Sequence, residues 1–174
     1  MGGMLKNEGD GVFFLNLPLR SLHCKLACSW IRHHNGTHYM IRSEIVLTGG
    51  YSEYHALYDC IFSIAEREGY SNVFTADLQL SIKEAFVNAV KHGNREKSDL
   101  TVTFSFVIAT NSLTVSVRDC GKGFKPDDLP SPASPWGQLK QSGRGVHIIR
   151  SVAEIISLER DNDGSTLMLR YIPY

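Results

Sequence analysis

The sequence predicts a two-layer α/β sandwich in which helices cover one face of a mixed, mostly antiparallel sheet. Segments that alternate between apolar and polar residues, as strands do, are joined in pairs by short turns, which favours antiparallel neighbours. Three helical segments lie between them, and three helices can cover only one face of such a sheet well. With 174 residues, the chain is long enough for one domain with a sizeable core.

The predicted elements follow in a simple order. Strands are expected over residues 39–47, 100–108, 112–118, 154–160 and 165–172, and helices over 52–68, 77–94 and 143–152. Ser52 and Thr75 are the expected caps of the first two helices, and Gly69 is expected to end the first. We interpret residues 1–38 as an N-terminal extension of unknown role, in which 17–31 allow a short helix, and residues 39–174 as the domain itself.

The composition argues against several classes of function. Lys and Arg number 18, as do Asp and Glu, so the net charge is zero, which disfavours a nucleic-acid or membrane surface as the main partner. No apolar run reaches the length of a transmembrane span, and no basic segment precedes an apolar one as in a secretion signal. We therefore expect a cytoplasmic protein.

The four cysteines do not form a disulfide framework in a chain of this length. Two of them lie in a histidine-rich segment that allows a zinc site, although the spacing matches no common zinc module. The candidate ligands are Cys24, Cys28, His23, His33, His34 and His38.

The helix predicted over residues 77–94 carries a narrow polar stripe on an otherwise apolar surface. Glu84 and Asn88 are four residues apart and therefore point the same way. A glutamate there can take a proton and an asparagine oxygen can bind a hard cation, although an ordinary half-exposed pair would give the same pattern. His92, at the end of this helix, is expected to cap or pack rather than to take part in catalysis.

Two glycine-rich segments have features of a ligand site. Asp119 directly follows a strand and precedes Gly121 and Gly123; its carboxylate can accept a hydrogen bond from an exocyclic amine such as that of adenine, while a simple turn is the alternative. Gly143 and Gly145 open a helix whose free amides suit phosphates, and a glycine-rich helix entry is the alternative. The chain has no Walker A motif.

In combination, these motifs resemble those of the Bergerat-fold ATP-binding superfamily, which includes gyrase and the histidine kinases. Four motifs stand in the same order: Glu84-x-x-x-Asn88, Asp119-x-Gly121-x-Gly123, Gly143-x-Gly145 and Gly164-Ser165-Thr166. The resemblance is closest to the anti-sigma-factor serine kinases, in the segments EAFVNAVKHGN, DCGKGFKPDDLP, SGRGVHIIRSVAEI and GSTLMLR. It covers about residues 39–174.

The resemblance implies a Bergerat fold with ATP and Mg²⁺ as cofactors and residues 125–142 as a flexible ATP lid. Glu84 would be the general base that takes the proton from a serine or threonine hydroxyl of a partner. Asn88 would bind Mg²⁺, and Asp119 would accept a hydrogen bond from the adenine amine.

Small residues would make most of the remaining contacts to the nucleotide. These are Gly121 and Gly123 along its side, Gly143 and Gly145 at the phosphates, and the hydroxyls of Ser165 and Thr166 near adenine. Arg144 either reaches the phosphates or pairs with Asp127 or Asp128.

Two positions depart from the family pattern. Ser165 stands where the superfamily commonly has threonine, and the hydroxyl is kept. Ala153 stands where the kinase subfamily often has an acidic residue, which weakens the assignment of a partner surface but not that of ATP binding.

The function that the resemblance implies is a serine/threonine protein kinase that is also an anti-sigma factor. It would phosphorylate an anti-sigma antagonist with a STAS domain, hold a sigma factor or similar regulator, and form a homodimer, without direct contact to nucleic acid or membrane. The alternative is an ATP-binding regulatory interaction module without kinase activity. A zinc-dependent regulator built on the His- and Cys-rich start is a third hypothesis.

Overall fold

The computed structural model of the chain describes residues 12–13, 27–32, 39–48, 50–122 and 144–174, with the side chains of 41–48, 50–122 and 145–174. Within these residues lie seven strands and three α-helices. In chain order they are β1 (Val12–Phe13), β2 (Ala27–Arg32), β3 (Tyr39–Thr48), α1 (Tyr54–Glu68), α2 (Asn72–Asn88), β4 (Thr101–Ala109), β5 (Ser112–Asp119), α3 (Arg144–Val152), β6 (Glu154–Arg160) and β7 (Ser165–Tyr171). A 3₁₀ turn, Tyr51–Glu53, precedes α1, and a π-helical turn, Ala89–Gly93, continues α2.

The strands form one sheet in the order β1-β2-β3-β4-β5-β7-β6. Each neighbouring pair among these described strands is antiparallel, so the mixed sheet that the sequence allowed is antiparallel here. β7 lies between β5 and β6, and its register places Ser165 opposite Asp119. The predicted two-layer α/β sandwich is confirmed.

The segment before residue 39 adds two strands to the edge of this sheet. β2 pairs with β3 from Ala27 opposite Glu44 to Arg32 opposite Tyr39, and β1 pairs with β2. The short helix expected over residues 17–31 is therefore wrong for residues 27–31, because an extended segment there completes a ladder with β3. The division into an extension of residues 1–38 and a domain of residues 39–174 stays a prediction.

One hydrophobic core lies between the helices and the inner face of the sheet. Burial alternates strictly along β4 and along most of β5, as in strands with one face against a packed layer. The buried side chains of these strands are Val102, Phe104, Phe106, Ile108, Leu113, Val115 and Val117. From α1 and α2 they meet Leu57, Ile61, Leu78, Ile82 and Phe86 in the same cluster.

The helices begin differently from the sequence expectation. Ser71 caps α2, because its hydroxyl oxygen accepts a hydrogen bond from the Phe74 N–H at 3.1 Å. The expected cap, Thr75, lies inside the first turn and donates its hydroxyl to the Ser71 carbonyl at 2.9 Å. Ser52 lies in the 3₁₀ turn and does not cap α1. Gly69 ends α1 at φ 68°, as predicted.

Asn94 joins the start of β4 to the turn after β5. Its side chain is buried, at 1% exposure. Its Nδ2 donates to the Thr101 carbonyl at 2.9 Å, and its Oδ1 accepts from the Cys120 N–H, also at 2.9 Å. One amide group therefore holds together two segments that bound the candidate site.

The chain leaves the π-helical turn through two left-handed residues, Arg95 at φ 53° and Glu96 at φ 59°. The Glu96 N–H donates to the Val90 carbonyl at 2.9 Å and closes the helix end. Glycine is favoured at such positions, and each side chain held there costs about 1–2 kcal/mol. Within the described ranges, no helix is both long and apolar enough to span a bilayer.

We expect Asn94→Ala to lower the free energy of unfolding by about 2–3 kcal/mol, because it removes the acceptor of the Cys120 N–H and the amide donor to the Thr101 carbonyl. Urea unfolding of the two proteins measures this. Asn111→Ala, in the exposed turn between β4 and β5, is the control and should change stability by less than about 0.5 kcal/mol. Equal effects of the two substitutions would contradict the role of Asn94.

Candidate functional site

The first cluster of the site is built around Asp119, the last residue of β5. Its Oδ1 accepts hydrogen bonds from the Gly121 N–H at 2.7 Å and from the Ser165 hydroxyl at 3.1 Å. No donor among the described residues reaches its Oδ2, which is left to accept from a ligand. Burial raises the pKa of Asp119, and the hydrogen bonds from Gly121 and Ser165 and the charge of Arg118 only partly oppose this.

Three glycines enclose Asp119 so closely that none of them has room for a side chain. A Cβ on Gly93 would overlap the Asp119 carboxyl group, and one on Gly164 would overlap the Asp119 carbonyl oxygen. A Cβ on Gly121 would lie 2.7 Å from the Gly93 carbonyl carbon. The end of the π-helical turn, the turn after β5 and the hairpin before β7 therefore meet backbone to backbone at this carboxylate.

A solvent-exposed ion pair holds the hairpin between β6 and β7, which carries Gly164. Arg118 pairs with Asp161, with Nη1 2.8 Å from Oδ2 and Nη2 2.9 Å from Oδ1. The Asp161 N–H donates to the Gly164 carbonyl at 3.0 Å, which closes the turn between β6 and β7. The hydrogen bond from Arg118 lowers the pKa of Asp161 to about 2.

The structure separates two hydroxyl residues that the sequence placed together. Ser165 points to Asp119, whereas Thr166 lies on the opposite face of β7 and accepts a hydrogen bond from Arg118 Nη1 at 3.2 Å. Neighbouring residues of a strand face opposite sides of the sheet, so only one of the two can reach the site. The structure therefore brings Ser165 but not Thr166 to Asp119, and the role near adenine expected for the two hydroxyls stays a prediction.

The second cluster consists of Glu84 and Asn88 on α2, beneath the first turn of α3. Both are half-buried. A Cβ on Gly145 would lie 2.6 Å from Glu84 Oε2 and 3.4 Å from Asn88 Nδ2, so α3 approaches both polar groups here. A carboxylate here can accept a proton, an amide oxygen can bind a cation, and the start of a helix can bind an anion.

One helix links the two clusters. Glu84 and Asn88 lie on the last two turns of α2, and Gly93, which touches Asp119, ends the π-helical turn that continues it. From Glu84 to Gly93 the helix rises by roughly 13 Å. Short π segments are found preferentially at functional sites.

Some expected site residues lie outside the described residues. These are Gly123, Gly143 and the lid expected over residues 125–142. Arg144 opens α3, but its side chain lies outside the described side chains, so both alternatives for it stay open. Of the candidate zinc ligands before residue 39, Cys28 lies in β2, but the side chains of all six are outside the described side chains. Among the described residues, no three His, Cys, Asp or Glu side chains could hold a metal ion together.

The contacts of Gly93 and Asn94 at the site were not predicted from the sequence, and Gly164 was named only as part of the Gly164-Ser165-Thr166 motif. Gly93 and Asn94 look like an ordinary helix end, since glycine and asparagine are common there. The sequence offers one weak signal for the contact between Gly93 and Asp119: a glycine ends the helix and an aspartate ends the following hairpin strand.

Comparison with known proteins gives a family match over most of the chain. The family model described as histidine kinase-like ATPase domain matches residues 53–171, from α1 to the end of β7. Both clusters lie within this match.

Similar curated proteins carry the name serine-protein kinase RsbW. The protein from Listeria monocytogenes serovar 1/2a is 28% identical over 115 residues, which cover 63% of this chain and 73% of its own. The protein from Bacillus subtilis strain 168 is 25% identical over 115 residues, 63% of this chain and 72% of its own. The one from Bacillus cereus strain AH820 is 27% identical over 116 residues, 63% and 71% respectively.

We expect Gly93→Ala to lower the free energy of unfolding by about 1–3 kcal/mol, because its Cβ overlaps the Asp119 carboxyl group. In a helix without such a contact, Gly→Ala raises the free energy of unfolding, so the sign of the measured change shows whether the contact is present. Urea unfolding measures it. Gly50→Ala is the control: its Cβ would meet nothing closer than Ser52 Oγ at 3.4 Å, and stability should change by less than about 0.5 kcal/mol. A stabilised Gly93→Ala protein would refute the contact.

Asp119→Asn should change how stability depends on pH. Because the pKa of Asp119 is raised on folding, the folded chain loses stability as pH rises from the unfolded value, about 3.9, through the raised one. The asparagine variant lacks this loss, so it should gain stability relative to the wild type as pH increases from 3 to 7. Unfolding curves at several pH values test this, with exposed Asp99→Asn as control. A relative gain on acidification would contradict the raised pKa.

Proposed function

Because the chain belongs to the family of histidine kinase-like ATPase domains, we propose that it binds ATP along α2 and acts as a serine/threonine protein kinase. The observation that carries the proposal is the joining of two clusters by one helix. A carboxylate with a free oxygen, Asp119, lies against Gly93 at one end. Asn88 and Glu84 lie about one and a half and about two and a half helical turns before Gly93. A nucleoside triphosphate has its base and its terminal phosphate at opposite ends.

The described residues fit the adenine end of a nucleotide. Asp119 Oδ2 faces no described donor and would accept a hydrogen bond from the exocyclic amine. Ser165 holds the other oxygen of the carboxylate, which fixes its orientation. Gly121, and by resemblance Gly123, would let the backbone lie beside the base.

The other cluster fits the phosphates. Gly145 has no side chain beside Glu84 Oε2, and its position in the first turn of α3 would offer backbone amides to a phosphate together with Gly143. Asn88 would bind Mg²⁺ through its side-chain oxygen. When bound, Mg²⁺ would neutralise charge on the phosphoryl group during transfer.

Glu84 would act as the general base. It would accept the proton of the serine or threonine hydroxyl as the hydroxyl oxygen attacks the terminal phosphate. The start of α3 lies against Glu84 and would exclude water from one side of the carboxylate. The relatives named serine-protein kinase support a hydroxyl as the acceptor.

The proposed substrate is an anti-sigma antagonist with a STAS domain, and the chain would hold a sigma factor or similar regulator when that antagonist is phosphorylated. A phosphate on an interface serine adds negative charge and can break the interface, which gives a switch between partners. Such a regulator would act in the cytoplasm as a homodimer, without direct contact to nucleic acid. The second candidate is an ATP-binding interaction module without kinase activity.

Glu84→Gln distinguishes the two functions. For a kinase, the rate of phosphate transfer from ATP to the antagonist should fall by about 10²–10⁴-fold, because the amide cannot take the proton. ATP affinity, measured by calorimetry with Mg²⁺, should stay within about twofold. Glu66→Gln, on the exposed face of α1, is the matched control and should leave both unchanged.

Two results would count against the kinase. The first is the absence of phosphate transfer from the wild type to any STAS-domain protein of the same genome, with ATP binding intact, which favours the interaction module. The second is the absence of Mg²⁺-dependent ATP binding, which would overturn both functions.

A further inference from the structure

A second pocket lies next to the proposed nucleotide site, and Gly93 and Gly121 are among its lining residues. Its volume is about 360 Å³, and it is bounded by the end of the π-helical turn, residues 94–100 and the turn after β5. Neither Asp119 nor Ser165 lines it, and Glu84 and Asn88 do not line it either. The pocket is therefore lined by none of the four polar side chains of the two clusters, although it shares Gly93 and Gly121 with the first cluster.

The described lining of this pocket is basic. Its charged and titratable side chains, apart from the thiol of Cys120, are His92, Arg95, Lys97 and Lys122, and all four are exposed. No aspartate or glutamate is among the lining residues that the structure describes, and none of the four cationic side chains pairs with a described carboxylate. Since the whole chain has no net charge, this is a local excess of positive charge.

The nearest acidic neighbour in sequence is engaged elsewhere. Glu96 follows Arg95 directly, but its Oε1 accepts a hydrogen bond from the Tyr51 hydroxyl at 2.8 Å. Glu96 does not line the pocket. The positive charge of the pocket is therefore not compensated from the same turn.

Arg95 is the strongest indication that the positive charge of the pocket serves to bind a ligand. It occupies a left-handed position that closes a helix end, where glycine is the favoured residue. Its side chain works against the stability of the turn, so the backbone does not explain why an arginine stands there. A planar guanidinium with several donors is well suited to phosphate oxygens.

We propose that this pocket binds the phosphate groups of a small ligand that carries at least two negative charges. Four cationic side chains, with no carboxylate among the described lining residues, favour a di- or triphosphate over a single weak anion. Among the described lining residues, Leu100 is the one large apolar side chain, and none is a Phe, Tyr or Trp that could stack on a base. The phosphates are therefore the recognised part, and the volume suits a small molecule rather than a protein domain. The inference does not rest on the proposed kinase function.

The test uses the full chain and inorganic pyrophosphate, with EDTA present and at constant ionic strength. Calorimetry should give a dissociation constant below about 0.1 mM that increases as NaCl is added. Amide resonances of residues 92–97 and 120–122 should shift on titration. Shifts confined to residues 145–149 would instead report binding near the proposed phosphate end of the ATP site and would overturn the inference.

Arg95→Gly separates binding from folding. It should weaken pyrophosphate binding at least about tenfold, because a charge-assisted donor is lost. It should also raise Tm by about 2–4 °C, because the left-handed strain is relieved. Glu96→Gly is the matched control: it relieves the same kind of strain, and pyrophosphate affinity should be unchanged or higher.

Other outcomes would overturn the inference. Equal affinity of wild type and Arg95→Gly for pyrophosphate, or equal affinity of the wild type for sulfate and pyrophosphate, would mean an adventitious ion only. Binding of hexaglutamate without binding of pyrophosphate would mean that the pocket takes an acidic protein segment and not a small ligand.

Asp119→Asn separates this inference from the proposed function. The substitution should leave pyrophosphate affinity within about twofold, because Asp119 does not line the pocket. A failure of ATP binding would therefore end the proposed function without affecting this inference.

Discussion

The backbone contact between Gly93 and Gly121 is the constraint on which the rest of the site depends. It lets the end of a helix reach the end of a strand, so that Gly93 lies against the carboxyl group of Asp119. The same helix carries Glu84 and Asn88, and the contact therefore also fixes how far the second cluster lies from the first. A side chain on either glycine would push the helix from the strand and alter both clusters together.

Two residues of this region are held where local energetics disfavour them. Burial raises the pKa of Asp119, and a left-handed backbone disfavours the side chain of Arg95. Asp119 borders the proposed adenine position, and Arg95 lines the basic pocket. Residues in energetically unfavourable conformations or environments are expected at functional sites, because the rest of the fold supplies enough stability to hold them there.

Much of the fold could be predicted, because its determinants are local. The strand over residues 154–160 was predicted with both ends correct, and β3, β4, β5 and β7 were each within one residue at either end. The start of α2 was missed because Ser71 and Thr75 offer the same capping chemistry. The choice between them depends on the burial of Phe74 in the core, which is a tertiary contact. The strand β2 was missed because it forms by pairing with β3.

By itself, the sequence determined the α/β class, the order of the elements from β3 to β7 and the residue types at the candidate site, since periodicity, turns and motifs are read from neighbouring residues. Only the tertiary structure decided that Ser165 and not Thr166 faces Asp119, because the register between β5 and β7 sets which face each residue takes. It alone also brought the helix end, with its glycine, onto a carboxylate 26 residues away along the chain, from Gly93 to Asp119. Such contacts depend on distances between remote segments, and no local pattern encodes those distances.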